Sequence, residues 1–173
     1  TAEDASDLSA QGQRLLNAWE DLPFPTIAAI QGPCLGGWCE WALASSAILM
    51  SDDRATRIGL PEVMLGVIPG MGGCVRMPRK VGLAQALDLI LSSRTLTADK
   101  AVKAGLAEAA VTAQQFDAQV LAWVRKNVEA LRSGSRLARE PKLGGAGGAV
   151  GSILEHTPMG RAIMLKKARE GVM

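Results

Sequence analysis

Two acidic residues lie within otherwise apolar sequence, and one of them comes shortly after a glycine pair. Glu40 comes after Gly36 and Gly37 in "GPCLGGWCEW", and Glu62 lies in "GLPEVMLG". An unpaired carboxylate in an apolar interior is costly, so each placement requires a partner or a function. Glycines ahead of a helix let its free backbone N–H groups approach an anion, so the Gly37 N–H could donate to a developing oxyanion.

This combination of groups suits the addition of water, or the movement of a proton, at the carbon beside a thioester carbonyl. The carbonyl becomes an enolate in the transition state. One carboxylate would deprotonate water for the distal carbon, while the other, kept protonated by burial or by its like-charged neighbour, would protonate the near carbon. We therefore expect Glu40 and Glu62 to line one pocket that the Gly37 N–H faces. The structural alternative is that each acid only caps a helix start.

Other chemistries lack the residues they need. The sequence has no Gly-x-x-x-x-Gly-Lys-Ser/Thr and no Gly-x-Gly-x-x-Gly motif, which argues against nucleotide binding. His156, the only histidine, lies in "EHTP" without a Gly-x-Ser-x-Gly elbow, so a Ser-His-Asp hydrolase is excluded. Cys34, Cys39 and Cys74 lack metal-site spacing, so we expect free thiols in a reducing compartment and no metal site.

Composition limits the partners and the compartment. The 173 residues are 48% hydrophobic and can bury one sizeable core. The net charge is only +2, with scattered Lys and Arg, which argues against a nucleic-acid or membrane partner. No apolar run long enough to span a membrane and no secretory signal is visible, so we expect a cytoplasmic location. A small molecule or a protein is the expected partner.

The elements that must position these groups follow from periodicity. Apolar spacing predicts a first amphipathic helix from Leu8 to Leu22, ended by "PFP", and "TIAAI" predicts a strand covered on both faces. Residues 37–45 predict a short helix and residues 47–50 a second buried strand, giving a strand-helix-strand unit. Gly and Pro occur at uneven intervals in residues 57–73, which predicts a packed loop.

Further along, the pattern predicts four helices, a short strand and a Gly-rich linker. A helical stripe covers residues 83–91, a helix follows from Thr97 as N-cap to Gly105 as C′ residue, and "LAEAAV" predicts a short strand. A long helix covers residues 116–131. Residues 133–151 are Gly-rich and predict a linker, and residues 152–173 predict a C-terminal helix that Thr157 caps.

Three segments carry a resemblance to a known family. They are "PTIAAIQGPCLGGWCEWALASSAILMS", "RIGLPEVMLGVIPGMGGCVRMPRKVG" and "ALDLILSSRTLTADKAVKAGLAEAAV". With the motifs LGG-x-CE, LPE-x-x-LG and PG-x-GG, they resemble the enoyl-CoA hydratase/isomerase, or crotonase, family. The resemblance implies an α/β fold, a right-handed superhelix of β-β-α turns with C-terminal helices. The segment "GLPEVMLGVIPGMGGCVRMPR", together with the linker and "TPMGRAIMLKKARE" beyond it, resembles the hydratase and isomerase part of multifunctional fatty-acid oxidation enzymes. In those enzymes an NAD-dependent 3-hydroxyacyl-CoA dehydrogenase domain is joined to the hydratase part.

The resemblance also assigns roles to individual residues. It implies that Glu40 activates water and that Glu62 exchanges a proton with the carbon beside the thioester, while the Gly37 N–H forms half of the oxyanion hole. The matching motifs give the oxyanion and substrate-binding positions as Gly36, Gly37, Trp38, Pro61 and Gly70. Trp38 stands where many members have a third glycine, so its bulk is expected to reshape the acyl pocket.

The implied activity is reversible hydration of trans-2-enoyl-CoA to 3-hydroxyacyl-CoA in fatty acid β-oxidation. Two alternatives stay open: isomerisation of 3-enoyl to 2-enoyl thioesters, and a catalytically silent fold that docks a partner subunit. The resemblance implies no cofactor for hydration. NAD is expected only where a dehydrogenase domain is also present. We expect an acyl-CoA substrate and an oligomer or β-oxidation complex. Residues 1–132 are expected to be a partial hydratase domain that lacks the family's earlier strands and the second oxyanion donor. The isolated chain is therefore expected to show no hydration activity unless the earlier strands are supplied.

Overall fold

The computed structural model describes residues 2–133 and, beyond them, residues 157, 158, 162 and 166. The described elements, in chain order, are α1 (Ala2–Glu20), β1 (Ile27–Ile30), β2 (Pro33–Leu35), α2 (Gly37–Ala44), β3 (Ala47–Ser51), β4 (Arg57–Gly59), a 3-10 turn (Glu62–Leu65), α3 (Gly73–Val81), α4 (Leu83–Leu91), α5 (Ala98–Ala104), β5 (Ala109–Val111), a second 3-10 turn (Ala113–Gln115) and α6 (Phe116–Arg132). His156 and all of the expected linker except Ser133 lie outside the described residues. Of the expected C-terminal helix, Pro158, Ala162 and Lys166 are described as helical.

The strands form two parallel sheets, and successive strands along the chain belong alternately to one sheet and the other. One has the order β1-β3-β5 and the other pairs β2 with β4. The chain therefore places a strand in the first sheet, a strand in the second and then a helix, and repeats this order from β3 onwards. The alternation is the β-β-α turn that the resemblance implies, and it confirms the predicted strand-helix-strand unit.

The core lies on both faces of the central strand β3, of which every residue is buried. On one face, Ile48 and Met50 join a cluster that includes side chains of α2, α3, α4 and α5. On the other face, Leu49 packs with Val111 and Phe116. Because β3 is covered on both sides, its apolar run from Ala47 to Met50 is stable there, as is typical of parallel strands between helices.

Several predicted elements are confirmed. Helices α2, α4 and α6 follow the predicted ranges to within one residue, and Gly105 ends α5 with the expected positive φ of 78°. Thr97 precedes α5 as predicted, but its hydroxyl makes no capping hydrogen bond; its carbonyl oxygen accepts one from the Ala101 N–H at 2.8 Å. The capping expected of this side chain is therefore wrong.

Other expectations are wrong for physical reasons. Strand β1 is not covered on both faces, because Ala29 is exposed at the edge of the described sheet. Strands β2 and β4 were not predicted, since three residues are too few to show a period. Helix α3 was not predicted either, because it starts at a glycine and contains Pro78.

Helix α1 packs on α2 through aromatic and polar contacts. The rings of Trp19 and Trp41 meet edge to face at a centroid distance of 5.3 Å, and Trp19 Nε1 donates to Ser45 Oγ at 3.3 Å. The residue of α1 that is fully buried is Leu16, whereas Leu8 and Leu15 are exposed. Within the described part of the chain, no helix has both the length and the apolar character to cross a membrane.

Candidate active site

Glu40 lies in the first turns of α2 with only 2% of its surface exposed. Its Oε1 accepts hydrogen bonds from the backbone N–H groups of Met71, at 2.8 Å, and Gly73, at 2.7 Å. These donors stand at the N-terminus of α3, where the helix dipole also favours a negative charge. The structure therefore compensates this buried acid with backbone groups of another helix.

Glu62 lies in a different environment, in the 3-10 turn that follows Pro61. Its Oε2 is buried and has no hydrogen-bond partner among the described residues. Burial raises the pKa of the Glu62 carboxyl above its ordinary value, the charge of Glu40 raises it further, and a backbone N–H partly opposes both effects. Glu62 is consequently biased towards its protonated form.

The two acids share one electrostatic neighbourhood. Both carboxylates raise the pKa of the Cys39 thiol and of the exposed Cys74 thiol, in each case after burial as the larger cause. Burial also raises the pKa of Cys34 to about 11. All three thiols are free, as predicted, and no cluster of potential metal ligands is found in the described ranges. Folding thus brings together two acids from successive β-β-α turns.

The glycine pair shapes the approach to these acids. Gly36 has a φ of 59°, and its N–H donates to Gly59 O at 3.1 Å, which extends the β2–β4 pairing. A Cβ at Gly36 would lie 3.6 Å from Glu62 Oε1, so the second acid is next to this turn. The N–H of Gly37 donates no hydrogen bond within the described structure. A Cβ at Gly37 would meet Met71 Cε at 2.6 Å.

The remaining predicted positions have varied surroundings. Trp38 is 72% exposed in the first turn of α2. Pro61 precedes Glu62, and its carbonyl accepts a hydrogen bond from the Met64 N–H at 3.0 Å. The carbonyl of Gly70 is bonded to two side chains of α1. Trp38 and Pro61 lie close to the two acids along the chain. Gly70 precedes Met71, whose N–H donates to Glu40.

Sequence reasoning missed the groups that hold Glu40. The donors are the backbone N–H groups of Met71 and Gly73, and Arg76 anchors the segment behind them through its bond to Met71 O at 3.1 Å. A Cβ at Gly73 would lie 3.0 Å from Glu40 Oε1, which explains why a glycine is present at this contact. The glycines of "PGMGG" were the available signal, although they did not indicate the partner.

Comparison with known proteins gives the family of the chain. The sequence pattern of the enoyl-CoA hydratase/isomerase family matches residues 1–141. The chain belongs to the enoyl-CoA hydratase/isomerase family. It is 41% identical over 172 residues, 99% of the chain, to the fatty acid oxidation complex subunit alpha of Shewanella loihica, of which it covers 23%. To the Vibrio vulnificus protein of that name it is 47% identical over 150 residues, 81% of the chain and 21% of the relative.

Solved structures of this hydratase/isomerase family share the fold. The crystal structure of an enoyl-CoA hydratase from Bacillus anthracis superposes with a TM-score of 0.69 at 29% identity, over 99% of this chain and 63% of that one. The crotonase fold implied by the sequence is thereby confirmed. The chain spans less than a quarter of the two curated relatives described above.

The raised pKa of Glu62 has a consequence for the stability of this hydratase/isomerase-family chain. The folded state binds the Glu62 proton more tightly than the unfolded state does. The free energy of unfolding of the chain therefore falls as the pH rises from the ordinary pKa of 4.5 through the raised pKa, and it levels off above that. Glu62→Gln has no carboxyl to titrate and does not lose this stability as the pH rises. We therefore expect the free energy of unfolding of Glu62→Gln, minus that of the parent, to increase with pH across that window. Urea titrations at about pH 4 to pH 8 measure it.

The matched control for that titration is Glu129→Gln on α6, because the Glu129 side chain is 86% exposed. Its free energy of unfolding relative to the parent should stay flat over the same pH range. A difference between Glu62→Gln and the parent that does not change with pH would contradict the raised pKa.

Proposed function

We propose that this chain supplies the acid-base residues for the reversible hydration of a trans-2-enoyl-CoA to a 3-hydroxyacyl-CoA. The observation that carries the proposal is the unequal treatment of two neighbouring acids. Glu40 accepts two backbone hydrogen bonds on one oxygen, whereas Glu62 keeps a buried oxygen without a partner and has a raised pKa. Two neighbouring carboxyl groups in such unequal environments are what paired acid-base catalysis requires.

In the proposed reaction, Glu40 takes a proton from water as the water oxygen bonds to C3 of the enoyl group. Its Oε2 accepts no hydrogen bond from the described residues and is available to that water. The C2–C3 π electrons move towards the thioester carbonyl, whose developing negative charge the Gly37 N–H stabilises. Glu62 donates its proton to C2 as the carbonyl re-forms, and proton transfer from Glu40 restores the pair. The acid and base labels belong to the pair more securely than to either residue.

An acyl group has apolar surface available beside Glu62 along the chain. The four large apolar residues of this segment are all more than half exposed: Met64 at 78%, Leu65 at 82%, Val67 at 55% and Ile68 at 67%. Exposed apolar side chains in such a run are a common feature of binding sites. They support a fatty acyl thioester as the substrate, with the exposed Trp38 as a further contact that shapes the acyl site.

Isomerisation of a 3-enoyl to a 2-enoyl thioester is a second candidate. The family description pairs hydratase with isomerase, and Glu62 with the Gly37 N–H could move a proton between C2 and C4 without activated water. A catalytically silent role is less well supported. Neither carboxylate forms an ion pair within the described residues, so neither acid is satisfied by a cation.

The relatives suggest a wider setting for this reaction. Both curated proteins are named as subunits of a fatty acid oxidation complex. We place the hydratase segment at residues 1–132, followed by the linker at 133–151 and the helix at 152–173, within a subunit of such a complex. Hydration itself needs no cofactor, because the chain's own carboxylates move the protons; NAD would serve only a joined dehydrogenase domain.

Isotope labelling tests the proposed reaction directly. The protein, with the family's earlier strands supplied in cis or as a separate chain, is incubated with crotonyl-CoA in H₂¹⁸O or in D₂O, while the absorbance of the conjugated thioester is followed. We expect the absorbance to fall, with ¹⁸O at C3 and one deuterium at C2 of the product by mass spectrometry and NMR. A Glu40→Gln/Glu62→Gln double variant is the control. Absence of both labels, at a protein concentration well above that of a typical assay, would contradict the hydratase proposal.

A further inference from the structure

One peptide group connects helix α1 to the Glu40 carboxylate. The carbonyl oxygen of Gly70 accepts hydrogen bonds from Ser9 Oγ at 2.6 Å and from Gln13 Nε2 at 2.8 Å. The N–H on the other side of the same peptide belongs to Met71, and it donates to Glu40 Oε1 at 2.8 Å. Two α1 side chains and the buried acid are therefore joined through opposite ends of a single amide.

Hydrogen bonds that share an amide strengthen one another. Donors to the carbonyl draw electron density towards oxygen and leave the N–H more positive, which makes it a better donor to a carboxylate. A bond to an ionised acceptor gains most from this polarisation, since charge-assisted bonds are the stronger class. The Ser9 hydroxyl and the Gln13 amide thus act on Glu40 without touching it.

Two further contacts fix this peptide relative to α1. Arg76 is 5% exposed, and its guanidinium binds Glu20 at 3.0 Å, Asn17 at 2.7 Å and the Met71 carbonyl at 3.1 Å. The Met71 side chain lies against Gly12, where a Cβ would come within 2.5 Å of Met71 Cγ. The segment is consequently held on both sides of the amide.

We propose that Ser9 and Gln13 of α1 are positioning residues for the hydration step, and that they act on Glu40 through the Gly70–Met71 peptide. The inference rests on the proposed role of Glu40 in activating water. The amide orients Oε1, which leaves Oε2 directed at the water. Loss of the two donors leaves Glu40 in place but lets its carboxylate rotate, so turnover falls while substrate binding is unchanged.

The test is a double variant, Ser9→Ala/Gln13→Leu, in the full chain. We expect kcat for hydration of crotonyl-CoA to fall about three- to tenfold, the loss expected from one or two neutral hydrogen bonds, with KM unchanged within about twofold. Ser9→Thr, which keeps the hydroxyl, should retain most of the kcat. The control is Ser6→Ala/Gln11→Leu, which changes two exposed α1 residues whose side chains make no hydrogen bond to the described residues and should leave kcat and KM at the parent values.

Coupling to Glu40 separates positioning from a general loss of folding. In a Glu40→Gln background, the double variant should lower the residual kcat by no more than about twofold, because the residue on which it acts is already disabled. An equal loss in both backgrounds, or a kcat loss matched by a loss of folded protein in circular dichroism, would overturn the inference. So would parent-level kcat in the double variant. If Glu40→Gln itself keeps full hydration activity, the proposed role of Glu40 fails, and the inference fails with it.

Discussion

Glu62→Gln is expected to lower turnover in both hydration and isomerisation by about 10² or more, because either reaction needs a proton delivered to or removed from C2. Glutamine keeps the shape of the side chain but cannot carry the proton. The buried Oε2 without a partner and the raised pKa indicate that this group spends a larger share of its time protonated than an exposed glutamate would. Stopped assays with crotonyl-CoA and with a 3-enoyl-CoA measure the two activities.

The matched control for this loss of turnover is again Glu129→Gln. It makes the same substitution on the exposed surface of α6 and should leave both activities at the parent level. Circular dichroism of Glu62→Gln should match the parent, since the substitution removes a charge that burial disfavours. Turnover of Glu62→Gln within a few fold of the parent would show that another group carries the proton.

Glu40→Gln is expected to lower hydration by about 10² to 10³, in the range typical of general-base removal, and to lower isomerisation by a smaller factor. The glutamine oxygen can still accept the hydrogen bonds from Met71 and Gly73, so the N-terminus of α3 keeps its partner. What is lost is the proton acceptor for water. The ratio of hydration to isomerisation rates, measured on one preparation, is therefore the decisive number.

The two variants together distinguish the candidate activities. A chain in which Glu40→Gln removes hydration but spares isomerisation uses Glu40 for water, as proposed. Equal losses in both activities would mean that Glu40 moves protons at carbon or only supports the local fold. A melting temperature for Glu40→Gln close to that of the parent would exclude the second explanation, because loss of the α3 contact would destabilise the chain.

The residues of the candidate site are proposed from local sequence signals, whereas its geometry has no local signal. Two acids in apolar sequence and a glycine pair ahead of a helix predict Glu40, Glu62 and Gly37 as its members. The family motifs gave the same residues. Nothing local indicated that Glu40 would be held by the N-terminus of α3 and not by its own helix.

The sequence by itself determined the elements whose periodicity is long enough to be unambiguous. Helices α4 and α6 and the buried strand β3 are set by apolar residues at helical spacing or by a continuous apolar run, and they follow the predicted ranges closely. The motifs also predicted the family and, through that resemblance, its β-β-α fold.

Only the tertiary structure decided the short strands β2 and β4, helix α3 and the contacts around the acids. Strands β2 and β4 exist because they pair with each other, and three residues have no preference strong enough to show this beforehand. The bond from Ser9 to the Gly70 carbonyl joins groups 61 residues apart. Such a contact depends on how α1 is placed against the segment before α3, and backbone donors look alike in every sequence. For that reason the sequence identified the acids, whereas folding selected the peptide groups that hold and orient them.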